Sequence, residues 1–222
     1  MNKLNHVAFI MDGNGRWGQK RKKSRNFGHL YGVKTVKKIV ASSIKFKIPI
    51  VTFYVFSTEN WKRPKTEINF LFKLIISYFK QELANVILNG IRINIIGKTN
   101  KLPQKISFAL KYAAKKTEKN KKIIVNLAIN YGSKDEIINS AQKIKKKLNI
   151  KNLERNLYTK NLPDPDILIR TGGHRRLSNF MLWQLAYTEI YFLNKLWPDF
   201  NRNDLKKIIN KYLKTKRNFG SI

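Results

Sequence analysis

The stretch from His6 to Trp17, HVAFIMDGNGRW, joins a short apolar run to a glycine-rich basic turn. The apolar part, Val7–Met11, has the length and the bulky side chains of a buried strand. Asp12 ends this run, and the two glycines after it let backbone N–H groups approach a ligand. Arg16 can pair with a phosphate group through its fork of donors. The stretch therefore predicts either a site for a metal-bound diphosphate or an ordinary strand-to-helix turn with a stray acid.

Apolar runs alternate with amphipathic stretches along the chain, which favours a mostly parallel sheet covered by helices on both faces. The predicted strands are Val7–Met11, Ile50–Phe56, Ile91–Ile96, Ile123–Ile129, Ile167–Ile169 and Glu189–Leu193. The predicted helices are His29–Lys45, Glu67–Leu88, Gln104–Lys119, Lys134–Leu148 and Asp204–Leu213. The polar stretch Asn149–Pro165 is predicted to be a long connection, and Glu118–Lys122 a turn. We expect one α/β domain over residues 1–222, with a mostly parallel central sheet of about six strands flanked by helices.

Composition excludes several classes of protein. The 222 residues include no cysteine, so disulfides, thiolate metal sites and a cysteine nucleophile are excluded. No apolar run approaches the length of about 20 residues that spans a bilayer, and the N-terminus lacks the zones of a signal peptide. We therefore expect a cytoplasmic protein that is at most loosely associated with membranes.

The formal net charge of +33 is the most extreme property of the composition. Such a charge invites a nucleic-acid or anionic-membrane partner. Most of it is lysine spread along the chain with abundant Asn and Ile, the mix that an AT-rich codon bias produces. Weak attraction to anionic lipid or substrate is therefore favoured, and a basic nucleic-acid-binding domain stays an alternative.

The predicted helix Glu67–Leu88 is apolar nearly all round over its first three turns. A helix on a protein surface needs an apolar stripe only a little over about 100° wide. The helix is therefore either buried between the sheet and a dimer partner, or one of its faces lines an apolar ligand cavity.

Polar clusters follow three of the predicted strands, and each cluster contains at least one arginine. They are Asp12–Arg16, Ser57–Trp61 with Arg63 behind it, and Arg170–Gly173 with Arg176 and Ser178 behind it. Because the carboxyl ends of parallel strands share one edge of a sheet, we expect these clusters to converge there. Arginine binds phosphate groups in a bidentate manner, so the edge has enough positive groups for two diphosphates. A P-loop, a GxGxxG dinucleotide turn, a GxSxG elbow and zinc spacing of the three histidines are absent from the sequence.

Several long motifs resemble those of the cis-prenyltransferases, specifically of the bacterial undecaprenyl diphosphate synthases. They are HVAFIMDGNGRW from His6, FSTENWKRP from Phe56, NYG from Asn130, RTGG from Arg170, SNFMLWQLAYTEIYF from Ser178 and LWPDF from Leu196. The resemblance implies Mg²⁺-dependent condensation of isopentenyl diphosphate onto an allylic diphosphate, farnesyl diphosphate, with each new double bond cis. The expected product is a long polyprenyl diphosphate of undecaprenyl length, the precursor of the lipid carrier for cell-wall synthesis. The resemblance also implies a homodimer, contact with membranes through the lipid product, and no specific nucleic acid.

The resemblance assigns roles residue by residue. It makes Asp12 and Asn60 catalytic, Asn60 as proton acceptor, and it makes Asp12 and Glu189 the Mg²⁺ ligands. The residues expected to bind substrate are Gly13, Asn14, Gly15, Arg16, Trp17, Arg25, His29, Ser57, Thr58, Glu59, Trp61, Arg63, Arg170, Arg176, Leu177 and Ser178. Among them, the group from Gly13 to His29 holds the allylic diphosphate, and Arg170, Arg176 and Ser178 hold isopentenyl diphosphate. The segment from Ser57 to Arg63 is implied to close over the reaction centre.

The chain departs from the family pattern at two positions, where His174 and Arg175 replace the usual Glu and His after RTGG. A non-catalytic subunit of such an enzyme is an alternative, but such subunits typically lose the Asp and the Gly-Arg turn that this chain keeps. The all-helical trans-type polyprenyl synthases are excluded, since no DDxxD motif occurs.

Overall fold

The computed structural model describes residues 2–145 and 147–216, which form one α/β domain around a six-stranded sheet. All neighbouring strands are parallel, in the order β3-β4-β2-β1-β5-β6. The strands are β1 His6–Ile10, β2 Ile50–Ser57, β3 Ile91–Ile96, β4 Ile123–Tyr131, β5 Ile167–Arg170 and β6 Glu189–Phe192. The predicted fold class is therefore confirmed, and the predicted strands lie within a few residues of the observed ones.

Seven α-helices and three short 3₁₀ turns connect the strands in the described part of the chain. The helices are α1 Asn14–Lys20, α2 Arg25–Lys45, α3 Lys65–Leu88, α4 Gln104–Thr117, α5 Ser133–Gln142, α6 Ile150–Glu154 and α7 Arg202–Lys214. The 3₁₀ turns are Thr58–Lys62, Thr99–Lys101 and Trp197–Asp199. No helix within residues 2–145 and 147–216 is both long and apolar enough to cross a membrane.

Two helix predictions need correction, and two helices were missed. The helices α1 and α6 were not predicted, and α2 begins at Arg25 rather than His29, because the Ser24 hydroxyl caps it by accepting the N–H of Phe27. The predicted helix Lys134–Leu148 is wrong in its second half, since α5 ends at Gln142. Lysines at positions 143, 145 and 147 follow, and like charges four residues apart destabilise a helix. Lys146 and residues 217–222 lie outside the described residues.

The two faces of the sheet carry separate apolar layers. Val7 and Phe9 of β1 belong to the layer under α2 and α3, where Phe9 stacks on Phe53 with ring centroids 5.0 Å apart. Ala8 and Ile10 point to the other face and pack with Phe180. Burial on both faces explains why β1 is continuously apolar rather than alternating.

A chain of buried polar side chains crosses four strands of the sheet. The His6 Nδ1–H donates to the Pro163 carbonyl at 2.8 Å, and His6 Nε2 lies 2.6 Å from the Thr52 hydroxyl. Thr52 also accepts the Asn126 amide, which in turn accepts the Asn94 amide at 2.8 Å. Every hydrogen bond in this series has a defined direction when His6 is neutral. The series of side chains therefore favours one register of the sheet.

Acidification is expected to destabilise the protein through His6. Burial lowers the pKa of His6 to about 4, whereas an unfolded histidine titrates near 6.5. Between these values only the unfolded state takes up the proton, so stability is lost as the pH falls, by about 3 kcal/mol in total. Urea unfolding at several pH values should show this slope in the wild type and a shallower slope in His6→Asn. The same dependence of stability on pH in both proteins would show that His6 is not the group responsible.

Candidate active site

The carboxyl ends of the strands surround a polar cleft of about 780 Å³, as the sequence predicts for a parallel sheet. Most of the predicted site residues line this polar cleft. They are Asp12, Gly13, Asn14, Gly15, Arg16, Arg25, His29, Ser57, Glu59, Asn60, Arg63, Arg170, Arg176 and Ser178. Tyr54 and Asn179 also line it, although neither was predicted.

Asp12 lies at the centre of the polar cleft, between two arginines. Its Oδ1 accepts a hydrogen bond from Arg16 at 3.1 Å, and its Oδ2 accepts one from Arg170 at 3.0 Å. The chain turns sharply after it because Gly13 has φ +106°, a backbone conformation that a residue with a Cβ atom rarely adopts. The carboxylate is thus held in place from α1 and from the end of β5 while remaining partly exposed to the polar cleft.

Arg170 connects the first strand end with the loop after β5. Its guanidinium donates to Asp12, to the Ser178 hydroxyl at 2.8 Å and to the Arg176 carbonyl. Only 4 % of the Arg170 side chain is exposed, and its buried Nε has no hydrogen-bond partner among the described residues. This buried fork fixes the loop that carries Arg176 and Ser178, so Arg170 positions the cationic side chain of Arg176 in the polar cleft.

A second carboxylate, Glu67 on α3, gathers two arginines and a histidine on the other side of the polar cleft. It accepts hydrogen bonds from Arg25 Nε at 3.1 Å and Arg63 Nη1 at 3.0 Å, and lies 3.3 Å from His29 Nε2. Burial raises the pKa of Glu67, but the hydrogen bond from Arg25 and the charge of Arg63 outweigh burial and lower it. We call this group the Glu67 cluster.

Sequence reasoning missed the role of Glu67, although one signal was present. Arg63 and Glu67 are four residues apart, the spacing at which opposite charges pair along a helix. Burial lowers the pKa of His29, against the effect of Glu67, so its imidazole is neutral at neutral pH. A neutral His29 imidazole carries no charge that would bind it to Glu67 as an ion pair, so it can donate a hydrogen bond to an incoming anion.

The segment predicted to close over the site is a 3₁₀ turn, and its side chains contact two other elements. Asn60 Oδ1 accepts the backbone N–H of Ser57 at 3.1 Å, which closes the turn. The Asn179 amide donates to Glu59 at 2.8 Å, so the turn is tied to the loop after β5. These bonds give Asn60 a structural role, and its role as proton acceptor stays a prediction.

Four predicted substrate-binding residues do not line the polar cleft. The Trp17 indole donates to Asp199 at 2.7 Å and packs on Tyr31, while the exposed Trp61 ring donates to Asn130 at 2.8 Å. Leu177 packs against the apolar layer that contains Phe180. Thr58 lies on the 3₁₀ turn Thr58–Lys62 but does not line the polar cleft. Their positions support the shape of the site, and direct contact with substrate stays a prediction for each.

Glu189, the predicted second metal ligand, lies at the opposite end of the sheet from Asp12. It begins β6 and pairs with Ile167, whereas the end of β5 at Arg170 pairs with Phe192. Three residues of strand separate the two ends, roughly 10 Å at 3.3 Å per residue. Within one chain Glu189 and Asp12 therefore do not form one metal site.

An apolar cavity of about 350 Å³ adjoins the polar cleft between α2, α3 and the sheet. Helix α3 contributes Leu71, Leu74, Ile75, Tyr78, Phe79 and Val86 to its lining. Met11, Asn14 and His29 line both spaces, so the apolar cavity begins where the polar cleft ends. Of the two interpretations of this apolar helix, the structure supports the one in which a face lines a ligand cavity.

The donor set at Asp12 fits Mg²⁺ bound together with a diphosphate. Magnesium is usually held by one or two carboxylates, water and substrate phosphates rather than by a cage of protein ligands. Within residues 2–145 and 147–216 no three His, Asp or Glu side chains are grouped as a metal cage. Asp12 with the surrounding arginines therefore suits a cation that arrives with its phosphate partner.

The sequence matches a family of known proteins over residues 10–220, described as "Putative undecaprenyl diphosphate synthase". The isoprenyl transferase of Oceanobacillus iheyensis is 45 % identical, over 98 % of this chain and 90 % of that protein. The isoprenyl transferase of Rickettsia typhi is 42 % identical over 99 % of both chains.

Two solved structures share the fold over nearly the whole chain. Lavandulyl diphosphate synthase from Lavandula x intermedia, in complex with dimethylallyl diphosphate, has a TM-score of 0.93 and 32 % identity over 98 % of both chains. A probable undecaprenyl diphosphate synthase from Campylobacter jejuni has a TM-score of 0.86 and 38 % identity over the full length of both. With its strand-end cleft, its apolar cavity and these relatives, the chain belongs to the undecaprenyl diphosphate synthase family and is a cis-prenyltransferase.

Proposed function

We propose that the protein condenses isopentenyl diphosphate units onto farnesyl diphosphate in an Mg²⁺-dependent reaction, to give a long-chain cis-polyprenyl diphosphate of undecaprenyl length. The observation that carries the proposal is the junction at Met11, Asn14 and His29, where the polar cleft meets the apolar cavity. An allylic diphosphate has the same two parts, a negatively charged head and a hydrocarbon tail. The related lavandulyl diphosphate synthase was solved with an allylic diphosphate, which supports this class of substrate.

The Glu67 cluster and the Gly13–Gly15 turn are proposed to bind the allylic diphosphate. Arg25 and His29 from α2 and Arg63 from the segment just before α3 converge there, directly beside the mouth of the apolar cavity. A Cβ atom at Gly15 would lie 2.7 Å from Arg25 Cζ, so the glycine lets the guanidinium sit against the turn. An entering diphosphate takes over the donors that Glu67 now engages.

Isopentenyl diphosphate is proposed to bind on the other side of Asp12. The buried Arg170 holds the loop of Arg176 and Ser178, whose exposed side chains line the polar cleft. With Asp12 and Arg16 between the two cationic groups, the two diphosphates flank one carboxylate. This arrangement brings the reacting carbons together at the mouth of the apolar cavity.

The reaction breaks the allylic C1–O bond and forms a bond from C1 to C4 of isopentenyl diphosphate. A proton then leaves C2 of the added unit and the new double bond forms. Mg²⁺ at Asp12 would supply positive charge to the departing diphosphate. Arg16 and Arg25 are placed to donate to the oxygens on which negative charge grows, in a site shielded by the sheet and α3.

The apolar cavity is proposed to hold the growing tail. Its lining is hydrocarbon over most of its length, from Leu71 near the polar cleft to Val86 and Ile91 near the other end of the sheet. Such a lining leaves few polar groups for a tail to desolvate.

We further propose that the protein is a cytoplasmic homodimer that meets membranes through its lipid product. The strand β6 forms one edge of the sheet, and its Ile190 and Phe192 side chains are exposed. An exposed apolar edge strand is a surface that a second copy can cover. A second chain is also the only means by which Glu189 could join a metal bound at Asp12, given its distance within one chain.

The two alternatives make different predictions. A non-catalytic subunit is disfavoured because Asp12, Gly15 and Arg16 are present and positioned around the polar cleft. A nucleic-acid-binding domain predicts strongly salt-dependent RNA or DNA binding and no prenyl transfer.

The test is a first-condensation assay with purified protein, farnesyl diphosphate and labelled isopentenyl diphosphate. We expect labelled lipid with Mg²⁺ and none with EDTA. Absence of product with Mg²⁺, both with and without detergent, would contradict the proposal. Equal product with EDTA would contradict the role of the metal.

Replacing Arg176 by Lys is expected to raise the KM for isopentenyl diphosphate at least tenfold and to leave the KM for the allylic primer within threefold. Lys keeps the charge but loses the planar fork that binds a phosphate in a bidentate manner. Arg175→Lys is the matched control, because Arg175 is exposed and does not line the polar cleft. Equal effects on both substrates would show that the two diphosphate sites are assigned wrongly.

A further inference from the structure

Three connections at the amino end of the sheet form one surface, opposite the polar cleft. They are residues 45–49 at the end of α2, 87–92 at the end of α3, and 118–122 after α4, and we call them the basal rim. Hydrogen bonds join them: Ile124 N–H donates to the Pro49 carbonyl, Lys122 N–H donates to the Gly90 carbonyl, and the Asn120 side chain donates to the Ile87 and Ile91 carbonyls. The basal rim is therefore a continuous, ordered surface rather than three separate loops.

The basal rim is strongly positive. Its exposed cations are Lys45, Lys47, Arg92, Lys119, Lys121 and Lys122. The three segments contain one acidic residue, Glu118, and this carboxylate pairs with Lys115 at 2.9 Å. A surface with this balance attracts polyanions and repels most basic proteins.

The basal rim also exposes hydrocarbon beside the end of the apolar cavity. Leu88 is 83 % exposed and Ile87 is 36 % exposed. Their neighbours Val86 and Asn89 line the apolar cavity, together with Ile44 near the end of α2 and Ile91 at the start of β3. The far end of the apolar cavity thus lies directly beneath the basal rim.

We propose that the basal rim docks on an anionic lipid bilayer, with Leu88 entering the interface and the lysines contacting phosphate headgroups. Lysines around an exposed leucine match such a surface, in which charge lies at the headgroups and hydrocarbon below them. Nucleic acid fits less well, because no exposed aromatic ring or arginine cluster lies among the three segments to stack on bases. The inference rests on the proposed function only in that the apolar cavity beneath the rim receives a lipid tail.

The test is co-sedimentation of the full chain, without substrates, with phosphatidylglycerol or phosphatidylcholine vesicles. We expect binding to phosphatidylglycerol at 0.1 M salt, and little binding to phosphatidylcholine or at 0.5 M salt. The triple variant Lys47→Gln, Lys121→Gln and Lys122→Gln should bind about 100-fold more weakly, at about fivefold per lysine. Leu88→Ser should weaken binding about tenfold.

Matched controls separate the basal rim from overall charge. The triple variant Lys20→Gln, Lys22→Gln and Lys23→Gln removes the same charge from an exposed run at the other edge, and both triples include a lysine with φ 56°. Ile138→Ser, at an exposed position on α5, is the control for Leu88→Ser. Equal losses in rim and control variants would overturn the inference. So would a rim triple that loses affinity for a single-stranded RNA oligonucleotide but keeps its affinity for vesicles.

Failure of the reaction and failure of the docking are distinguishable in these measurements. A wild-type protein that binds vesicles through the basal rim but transfers no prenyl group retains the docking and refutes the proposed function. A wild-type protein that makes product while its rim triple binds vesicles normally overturns the docking alone.

Discussion

Replacing Asp12 by Ala is expected to abolish turnover, with a loss of kcat on the order of 10³-fold or more. The carboxylate lies between the two cationic groups of the polar cleft and is the acidic side chain best placed to hold a metal with both diphosphates. The other carboxylate beside the allylic site, Glu67, is already engaged by two arginines and His29. The measurement is single-turnover prenyl transfer at saturating substrates.

The same substitution should also lower stability, because it leaves the buried Arg170 without its carboxylate. We expect a cost of about 1–3 kcal/mol for this unpaired group. Asp12→Asn keeps the volume and an acceptor oxygen, so it should lose activity with a smaller loss of stability. Asp204 lies on α7, away from the polar cleft, and forms an ion pair with Lys195 at 2.8 Å. Asp204→Asn removes this ion pair and should keep its activity. Activity of Asp12→Asn within tenfold of the wild type would rule out the role of this carboxylate.

Tryptophan at the wall of the apolar cavity is expected to shorten the product without blocking the first condensation. Each added prenyl unit pushes the tail deeper between α3 and the sheet, and a bulky ring stops growth where the tail meets it. Ile75 and Val86 both line the apolar cavity and lie roughly 16 Å apart along the helix, at 1.5 Å per residue. Ile75→Trp should therefore end at shorter chains than Val86→Trp, with the rate of the first addition within threefold of the wild type.

The control for these variants is Ser77→Trp, because Ser77 is exposed on the same helix and does not line the apolar cavity. Its product distribution should match that of the wild type. Chromatography of the dephosphorylated lipids measures the chain lengths. An unchanged length with a slower first step would mean that the tail does not run along α3.

The strands and their convergence could be predicted from the sequence because both follow from local pattern. A run such as Val7–Ile10, buried on both faces, is continuously apolar, and parallel strands must end at one edge. The helix α1 could not be predicted in the same way, because its glycines signal a turn. One of them, Gly18, instead allows close packing, since a Cβ atom there would collide with the Ser24 carbonyl oxygen and lie 3.2 Å from the backbone nitrogen of Gly28 on α2.

The Glu67 cluster shows what local pattern leaves out of the site. Arg25 and Glu67 are 42 residues apart, and only the packing of α2 beside α3 brings them together. The positions of Trp17 and Glu189 have the same origin. The Trp17 ring packs α1 against α2, and the edge strand β6 holds the Glu189 carboxylate away from Asp12. Motif order predicts which residues matter, but tertiary contacts decide which of them meet.

The central claim, cis-specific chain elongation, is tested most directly by the size and double-bond geometry of the full product. The purified protein is incubated with farnesyl diphosphate, excess ¹³C-labelled isopentenyl diphosphate, Mg²⁺ and detergent, and the lipid is analysed by mass and by NMR. We predict a polyprenyl chain near the undecaprenyl length in which every added unit is cis. No elongated lipid, or elongated lipid with trans added units, would contradict the account.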